Sequence, residues 1–263
     1  MNGRLSILTC TVLNFALVVS VHGQFGGESE IAFLKNILGD DRAFVANVDI
    51  QVKEWHPISK TNNSSRNITL PAKVAYDSGK LYHEIKVSDI RGEIRPTDLI
   101  EVMKSSGMDR VVGIKHFDKN FSYMVFPGIQ SYYLQTNSLA DGFNTNDFKQ
   151  VTKLGEEVVN GHPCVKNKIV FTDNEGNKSE VTCWSATDLQ DFPVKIETKM
   201  RGDEVTVHFN DIKFVKPAAS LFEPPRGFAR YKSQDEMIQG NMPKIKALLK
   251  KALSEESHTK PKN

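Results

Sequence analysis

The sequence predicts a mainly β fold assembled from antiparallel hairpins. Apolar and polar residues alternate along Phe192–Met200 and again along Val205–Phe209, and the turn between these segments contains a glycine. Folding that turn back pairs Ile196 with Phe209 and places the apolar residues of both segments on one face. Such alternation is typical of a sheet with one buried and one solvated side. About eleven such strands, with few helices and short connections, predict a sandwich or a barrel, open or closed.

The remaining strands are predicted from the same alternation and from turn residues between them. One hairpin turns at Asp77–Lys80 and pairs Tyr76 with Leu81 and Val74 with His83. The predicted strands outside the two cysteine-bearing segments and the last hairpin are Phe44–Val52, Ile68–Tyr76, Leu81–Val87, Arg110–Phe117, Phe121–Phe126, Ile129–Gln135 and Phe148–Val158.

Two cysteines lie on either side of a turn at Asp173–Gly176, at similar distances from it. The predicted hairpin therefore sets Cys164 opposite Cys183. Facing residues of a non-hydrogen-bonded pair are close enough to bridge, and two cysteines in an exported chain are usually joined. We expect a structural disulfide between Cys164 and Cys183.

The N-terminus has the pattern of a signal peptide. Arg4 is the only charged residue before Glu28, Leu5–Val21 is mostly apolar, and the run ends at Gly23. We expect cleavage after residue 23 and a mature chain that is periplasmic or secreted. The alternative is an uncleaved N-terminal membrane anchor, since the run approaches spanning length. A net charge of +2 does not favour nucleic acid as a partner.

Helices are predicted near both ends of the chain and after residue 97. Ile31, Leu34, Ile37 and Leu38 recur at helical spacing, and a second helix is predicted over residues 98–106. A third region, residues 233–263, carries a capping box at Ser233, a second helix capped by Asn241, and a tail predicted to be disordered from Ser254. Its lysine-rich amphipathic helix either covers the protein's own sheet or docks on a protein partner or a membrane surface.

No catalytic, metal or cofactor motif is present in the sequence. The seven histidines lack metal-ligand spacing, and there is no nucleophile elbow, phosphate loop or dinucleotide fingerprint. We therefore predict that the chain is not an enzyme. The strand pattern places His83 and His116 on inward-facing positions. A catalytic role would require the two side chains to converge, whereas the more common outcome for such residues is a hydrogen-bonded or partly exposed histidine.

Three further segments have distinctive patterns: FSYMVFPGIQSY at Phe121–Tyr132, WSATDLQDFPVKIE at Trp184–Glu197 and LFEPPRGFARY at Leu221–Tyr231. Together they resemble the LolA/LolB family of bacterial lipoprotein carriers and their lipoprotein-sorting relatives. The resemblance implies that residues 24–232 form one strongly curved antiparallel half-barrel. It also implies that short helices at residues 28–38 and 98–106 cover its open mouth.

The resemblance further implies a lipid- or lipoprotein-binding protein that holds acyl chains in the concave face. The alternative is a periplasmic sensory or regulatory domain of the same fold that binds a protein partner. A filled core in place of a cavity would favour that alternative. The residues expected to line the cavity are Val48, Ile50, Val52, Leu70, Val74, Met124, Phe126, Ile196, Val207 and Phe209.

Overall fold

The computed structural model describes residues 37–38, 41–54, 66–92, 98–117, 119, 121–136, 149–172, 178–200 and 203–259. The predicted signal peptide and most of the predicted helix at residues 28–38 lie outside these ranges. None of the helices within them is both long and apolar enough to cross a bilayer.

Thirteen strands of the described chain form one curved, unclosed sheet. Neighbouring strands run antiparallel except for the last strand, which pairs in parallel with β7. The order across the sheet is β13-β7-β6-β5-β3-β2-β1-β12-β11-β10-β9-β8, and β4 pairs with β2. The strands are β1 Ala43–Glu54, β2 Arg66–Asp77, β3 Lys80–Lys86, β4 Arg91–Gly92, β5 Arg110–His116, β6 Phe121–Phe126, β7 Ser131–Thr136, β8 Lys149–Val159, β9 His162–Thr172, β10 Lys178–Ala186, β11 Phe192–Met200, β12 Asp203–Lys213 and β13 Ala229–Tyr231.

The predicted mainly β, open antiparallel fold is confirmed. The two strands beyond the expected eleven are β4 and β13, which have two and three residues and are too short to show alternation. The predicted pairs Tyr76–Leu81 and Val74–His83 are present. The predicted pairing of Ile196 with Phe209 is wrong, because Ile196 pairs with Val207. That shift of two residues leaves the same side chains on the same face.

The faces of the sheet are covered by different parts of the chain. We call inner the face that carries Val48 and Ile50, and outer the opposite face. Helix α1 (Asp98–Ser105) and helix α2 (Gln234–Thr259) pack on the inner side of β5–β7, where Met103, Met237 and Ile245 are buried. The predicted helix at residues 98–106 is thus confirmed.

On the outer side of β5 and β6, the segment from residue 217 to residue 228 crosses the sheet. Phe222 from this segment is buried against Val112, Ile114 and Val125. Strand β5 is therefore covered on both faces, and four consecutive residues, 111–114, are buried. This is why β5 lacks the clean alternation of a strand with one solvated side.

The C-terminal region forms one 26-residue helix rather than two. The predicted capping box is present: the Glu236 amide donates to Ser233 Oγ at 3.2 Å, and the Glu236 carboxylate accepts from the Lys232 amide at 2.7 Å. Asn241 does not cap a helix; its buried side chain accepts from Ser131 Oγ at 3.1 Å. The helix also runs past Ser254, where disorder was expected, to Thr259. Its apolar side covers the protein's own sheet, the first of the two predicted roles.

Candidate binding site on the inner face

All ten residues predicted to line a cavity lie at inner positions of the sheet, and the structure divides them into two groups. Eight belong to or pack against the largest buried cluster, on β1, β2, β11 and β12. Met124 and Phe126 belong instead to the cluster beneath α1 and α2. The helices therefore cover one half of the inner face, and the candidate site is the other half.

The inner positions of the four strands form continuous cross-strand rows. In one row Ile196 pairs with Val207, Val207 with Ile50, and Ile50 with Leu70. The row on one side of it contains Val205, Val52 and Ile68, and the row on the other contains Phe209, Val48 and Ala72. We call this surface the apolar trough. Its β-branched and aliphatic side chains fit a pleated surface and carry no polar group to attract water.

One end of the apolar trough is closed by aromatic rings. Phe44 stacks on Tyr76 at 5.6 Å between ring centroids and meets Phe192 edge-on at 4.9 Å. Phe192 in turn meets Phe209 edge-on at 5.4 Å. Such edge-to-face contacts stabilise a cluster beyond the area it buries. The far end lies at Val52, eight residues along β1 from Phe44, or about 26 Å at strand rise.

The middle of the apolar trough is less completely covered than its ends. Val207 is half-buried, although its cross-strand neighbours Ile196 and Ile50 are almost fully buried. Its neighbours on the same face of β12, Val205 and Phe209, are also buried. Within these three rows Val207 is therefore the least covered side chain. The sequence predicted that Val207 faces inward but held no signal for its partial exposure.

The predicted Cys164–Cys183 disulfide is not present in the structure, where both cysteines are buried and not joined to each other. The first ladder pair of this hairpin is Thr172 with Lys178, so Cys183 pairs with Asn167 and Cys164 with Ala186. The two cysteines are thus offset by three residues, about 10 Å along the strand, beyond the reach of a disulfide. Burial is the main cause that raises the pKa of the Cys164 thiol.

His83 is the most unusual polar residue of the inner face. It is only 2% exposed, and among the described residues neither Nδ1 nor Nε2 has a hydrogen-bond partner. Its ring lies across Gly113, where a β-carbon would fall 2.0 Å from His83 Cε1. Burial first, and the charge of Lys115 second, lower the pKa of His83 to about 3. A neutral imidazole is therefore held at the border between the two inner clusters.

The prediction that His83 and His116 both face inward is wrong for His116. His116 pairs with Lys80 and Phe121, which puts it on the outer face. There its Nε2 lies 2.8 Å from the carbonyl oxygen of Phe222. The two histidines are therefore on opposite sides of the sheet. Within the described part of the chain, no three His, Cys, Asp or Glu residues are grouped so that they could hold a metal ion.

The outer face carries a polar cavity of about 470 Å³ that the sequence did not predict. Its most buried ion pair joins Arg110 to Glu84 at 2.6 Å, and Tyr82 donates to the same carboxylate at 2.6 Å. Burial alone would raise the pKa of Glu84, but these two hydrogen bonds and the nearby positive charges outweigh it and lower that pKa. Because its central carboxylate is already satisfied by Arg110 and Tyr82, we regard this cavity as a weaker candidate than the apolar trough.

Comparison with known proteins gives structural likenesses at low sequence identity. No family model matches the chain, and no curated protein does either. The chain is similar to a LolA superfamily protein from Nitrosomonas europaea, with 10% identity and a TM-score of 0.34 over 74% of this chain and 97% of that one. It is also similar to LprF from Mycobacterium bovis, with 10% identity and a TM-score of 0.30 over 73% and 97%. MucB, solved in complex with MucA(peri), matches with 11% identity and a TM-score of 0.35 over 78% and 62%.

Proposed function

We propose that this chain is an exported lipid- or lipoprotein-binding protein that holds an acyl chain in the apolar trough. The observation that carries the proposal is the partial exposure of Val207 in the middle of an otherwise buried apolar row. Exposed apolar surface in a concave site is costly in water, and an acyl chain removes that cost without needing any polar motif. This also accounts for the lack of a catalytic signature in the sequence.

The size of the apolar trough suits one chain of a membrane lipid. A bilayer core of about 30 Å contains two leaflets, so one chain extends over about 15 Å. The trough runs about 26 Å from Phe44 to Val52. Each buried methylene contributes roughly 0.8 kcal/mol, so a chain of ordinary length binds through burial alone. The aromatic rings at the Phe44 end close the trough, so the methyl end of the acyl chain would pack against them.

Entry of a ligand requires movement of whatever covers the apolar trough. Leu38 is almost fully buried in the trough cluster, and Ile37 packs against it. Both residues precede β1 and so reach the cluster from outside the sheet. We propose that displacement of this segment opens the trough, while α1 and α2 stay on the other half of the inner face.

The experiment that tests the proposal is native mass spectrometry of the secreted protein, followed by lipid extraction. Bound mass that resolves into acyl lipid supports it. Protein at its bare mass that takes up no added lipid contradicts it and favours the protein-binding alternative. The N-terminal residue of the same secreted protein tests cleavage after residue 23.

A matched pair of variants separates an open trough from a filled core. V207F adds volume at the accessible inner position, and T206F adds a similar ring on the outer face of the same strand. If the trough is open, V207F should fold without loss of stability but retain less lipid than wild type. T206F should retain lipid as wild type does. In a filled core, V207F would cost about 1–3 kcal/mol through overpacking, and neither protein would carry lipid.

A further inference from the structure

Strand β8 is a long edge of the sheet that exposes apolar side chains. It has eleven residues, Lys149–Val159, and stands at the end of the strand order with β9 as its only neighbour among the described strands. Val151 and Leu154 are each 52% exposed and Val158 is 70% exposed. Only Phe214 and Val215 are comparable large apolar residues in the described part of the chain. Three of these five described residues thus lie on one strand that has a described neighbour on one side alone.

Such an edge is prone to pair with another strand. Its outward N–H and C=O groups form a template for a further antiparallel strand, and proteins usually guard such edges with charges or a short length. Here the charges of β8 are arranged by sign rather than scattered. Lys149 and Lys153 lie in the first half, and Glu156 and Glu157 lie in the second.

The order of residues along β8 is complementary to itself in the antiparallel direction. A twofold axis between Leu154 and Gly155 places Val151 opposite Val158 of a second copy and Lys153 opposite Glu156 of that copy. The same axis sets Leu154 over Gly155 of the second copy. Around Gly155, no atom lies within 4 Å of the place where a β-carbon would stand. One register therefore produces three favourable contacts together: an apolar pair, an ion pair and a side chain above an open glycine.

The irregularity of β8 is compatible with that axis. The register of β8 with β9 shifts between Lys153 and Gly155, so Leu154 is an extra residue relative to β9. A bulge of this kind spoils pairing with a regular strand. In a symmetric pair the bulge of each copy falls beside the axis, so the two irregularities face each other and the segments on both sides can pair regularly.

We propose that two copies of this chain associate through their β8 edges, antiparallel, with the twofold axis between Leu154 and Gly155. The two sheets become one continuous sheet across the interface, which is isologous because both copies use the same residues. This association uses no residue of the apolar trough and does not depend on lipid binding.

Sedimentation velocity of the mature chain over a range of concentrations is the first test, with wild type, V151K and V215K compared. We expect a reversible dimer for wild type and V215K, because Val215 is equally exposed, at 51%, but lies away from β8. V151K places a charge opposite an apolar side chain and should weaken dimerisation about tenfold or more. A monomer at every concentration, or equal weakening by V215K, would overturn the proposal.

A charge exchange tests the register without changing the apolar residues. Lys153 and Glu156 form an ion pair within one chain at 2.5 Å, and both side chains are more than half exposed. K153E and E156K each break that pair and each should dimerise poorly alone, because like charges then face across the axis. Mixing the two variants restores opposite charges only between copies, so heterodimers should form. Failure of the mixture to associate while wild type dimerises would refute this register.

Cysteine cross-linking supplies an independent readout of the pairing. A mixture of V151C and V158C chains should form a mixed disulfide on mild oxidation. V151C alone should not cross-link to itself, because equivalent residues lie seven positions apart, about 23 Å along the strands. Self-cross-linked V151C with no mixed product would show that the copies meet in another way. The native cysteines are buried, and a C164A/C183A background keeps them out of the reaction.

Discussion

Lowering the pH from 7 to 5 should destabilise the fold through His83. In the folded protein the pKa of His83 is lowered to about 3, mainly by burial and secondarily by the charge of Lys115. In the unfolded chain the imidazole takes up a proton near pH 6.5, its ordinary pKa. Between these two values the unfolded state binds a proton that the folded state does not. Stability is therefore full above pH 6.5 and is lost progressively as the pH falls toward 3.

The size of the effect follows from this difference in proton binding. Each pH unit below 6.5 costs about 1.4 kcal/mol, so the free energy of unfolding should drop by about 2 kcal/mol at pH 5. The window is chosen to avoid carboxylates, because Glu84 has a lowered pKa and contributes only at more acidic pH. His208, on the outer face, also has a pKa lowered by burial and adds a smaller loss in the same direction.

Urea unfolding at pH 7 and pH 5 measures the change, with wild type, H83F and H208Q compared. H83F removes the titrating group and two unpartnered ring nitrogens. The free energy of unfolding of H83F should therefore fall much less than that of wild type between pH 7 and pH 5, with most of the drop of about 2 kcal/mol absent. H208Q should retain most of the loss. If H83F lost as much stability as wild type on acidification, the assignment of the effect to a buried neutral His83 would be wrong.

Three further predictions concern stability. G113A should cost more than about 2 kcal/mol because the new methyl group collides with the ring of His83, and the H83A/G113A double variant should recover much of that loss in a double-mutant cycle. S131A leaves the buried Asn241 oxygen without its donor and should lower the free energy of unfolding by about 1–3 kcal/mol in urea titrations, whereas S233A at the exposed helix cap should cost about 1 kcal/mol. A reducing agent should leave the melting temperature unchanged because no disulfide joins the two cysteines; a fall of several degrees on reduction would instead reveal one.

The strands could be predicted because alternation is a local property of the sequence. Phe44, Val48 and Ile50 alternate with polar residues over a stretch long enough to be recognised, and turn residues separate such stretches. Strands β4 and β13 have no pattern of their own and form because a neighbour offers them an edge. The local sequence pattern therefore could not predict these two strands, whose pairing depends on the fold of the whole chain.

Registers and contacts through the sheet were the weakest predictions. Cys164 and Cys183 were placed opposite each other by counting from the turn, yet the ladder starts at Thr172 and Lys178 and moves them three residues apart. His116 was assigned to the inner face, although it pairs with Lys80 on the outer one. A one-residue change in register reverses the side of the sheet that a residue faces, so small counting errors have large consequences for a site. Gly113 was the one sequence signal for the position of the His83 ring, because a glycine within a strand often marks the close approach of another group.

The C-terminal region passes around one margin of the sheet. The chain crosses the outer face with Phe222, pairs three residues with β7 at the margin, and returns over the inner face as α2. The far margin, β8, has no such wrapping among the described residues. A sheet that is adhesive on both margins can grow into a filament, whereas one with a single adhesive margin stops at two. Under the proposed β8 pairing, the C-terminal wrap leaves each copy with one adhesive margin and so confines the assembly to two chains.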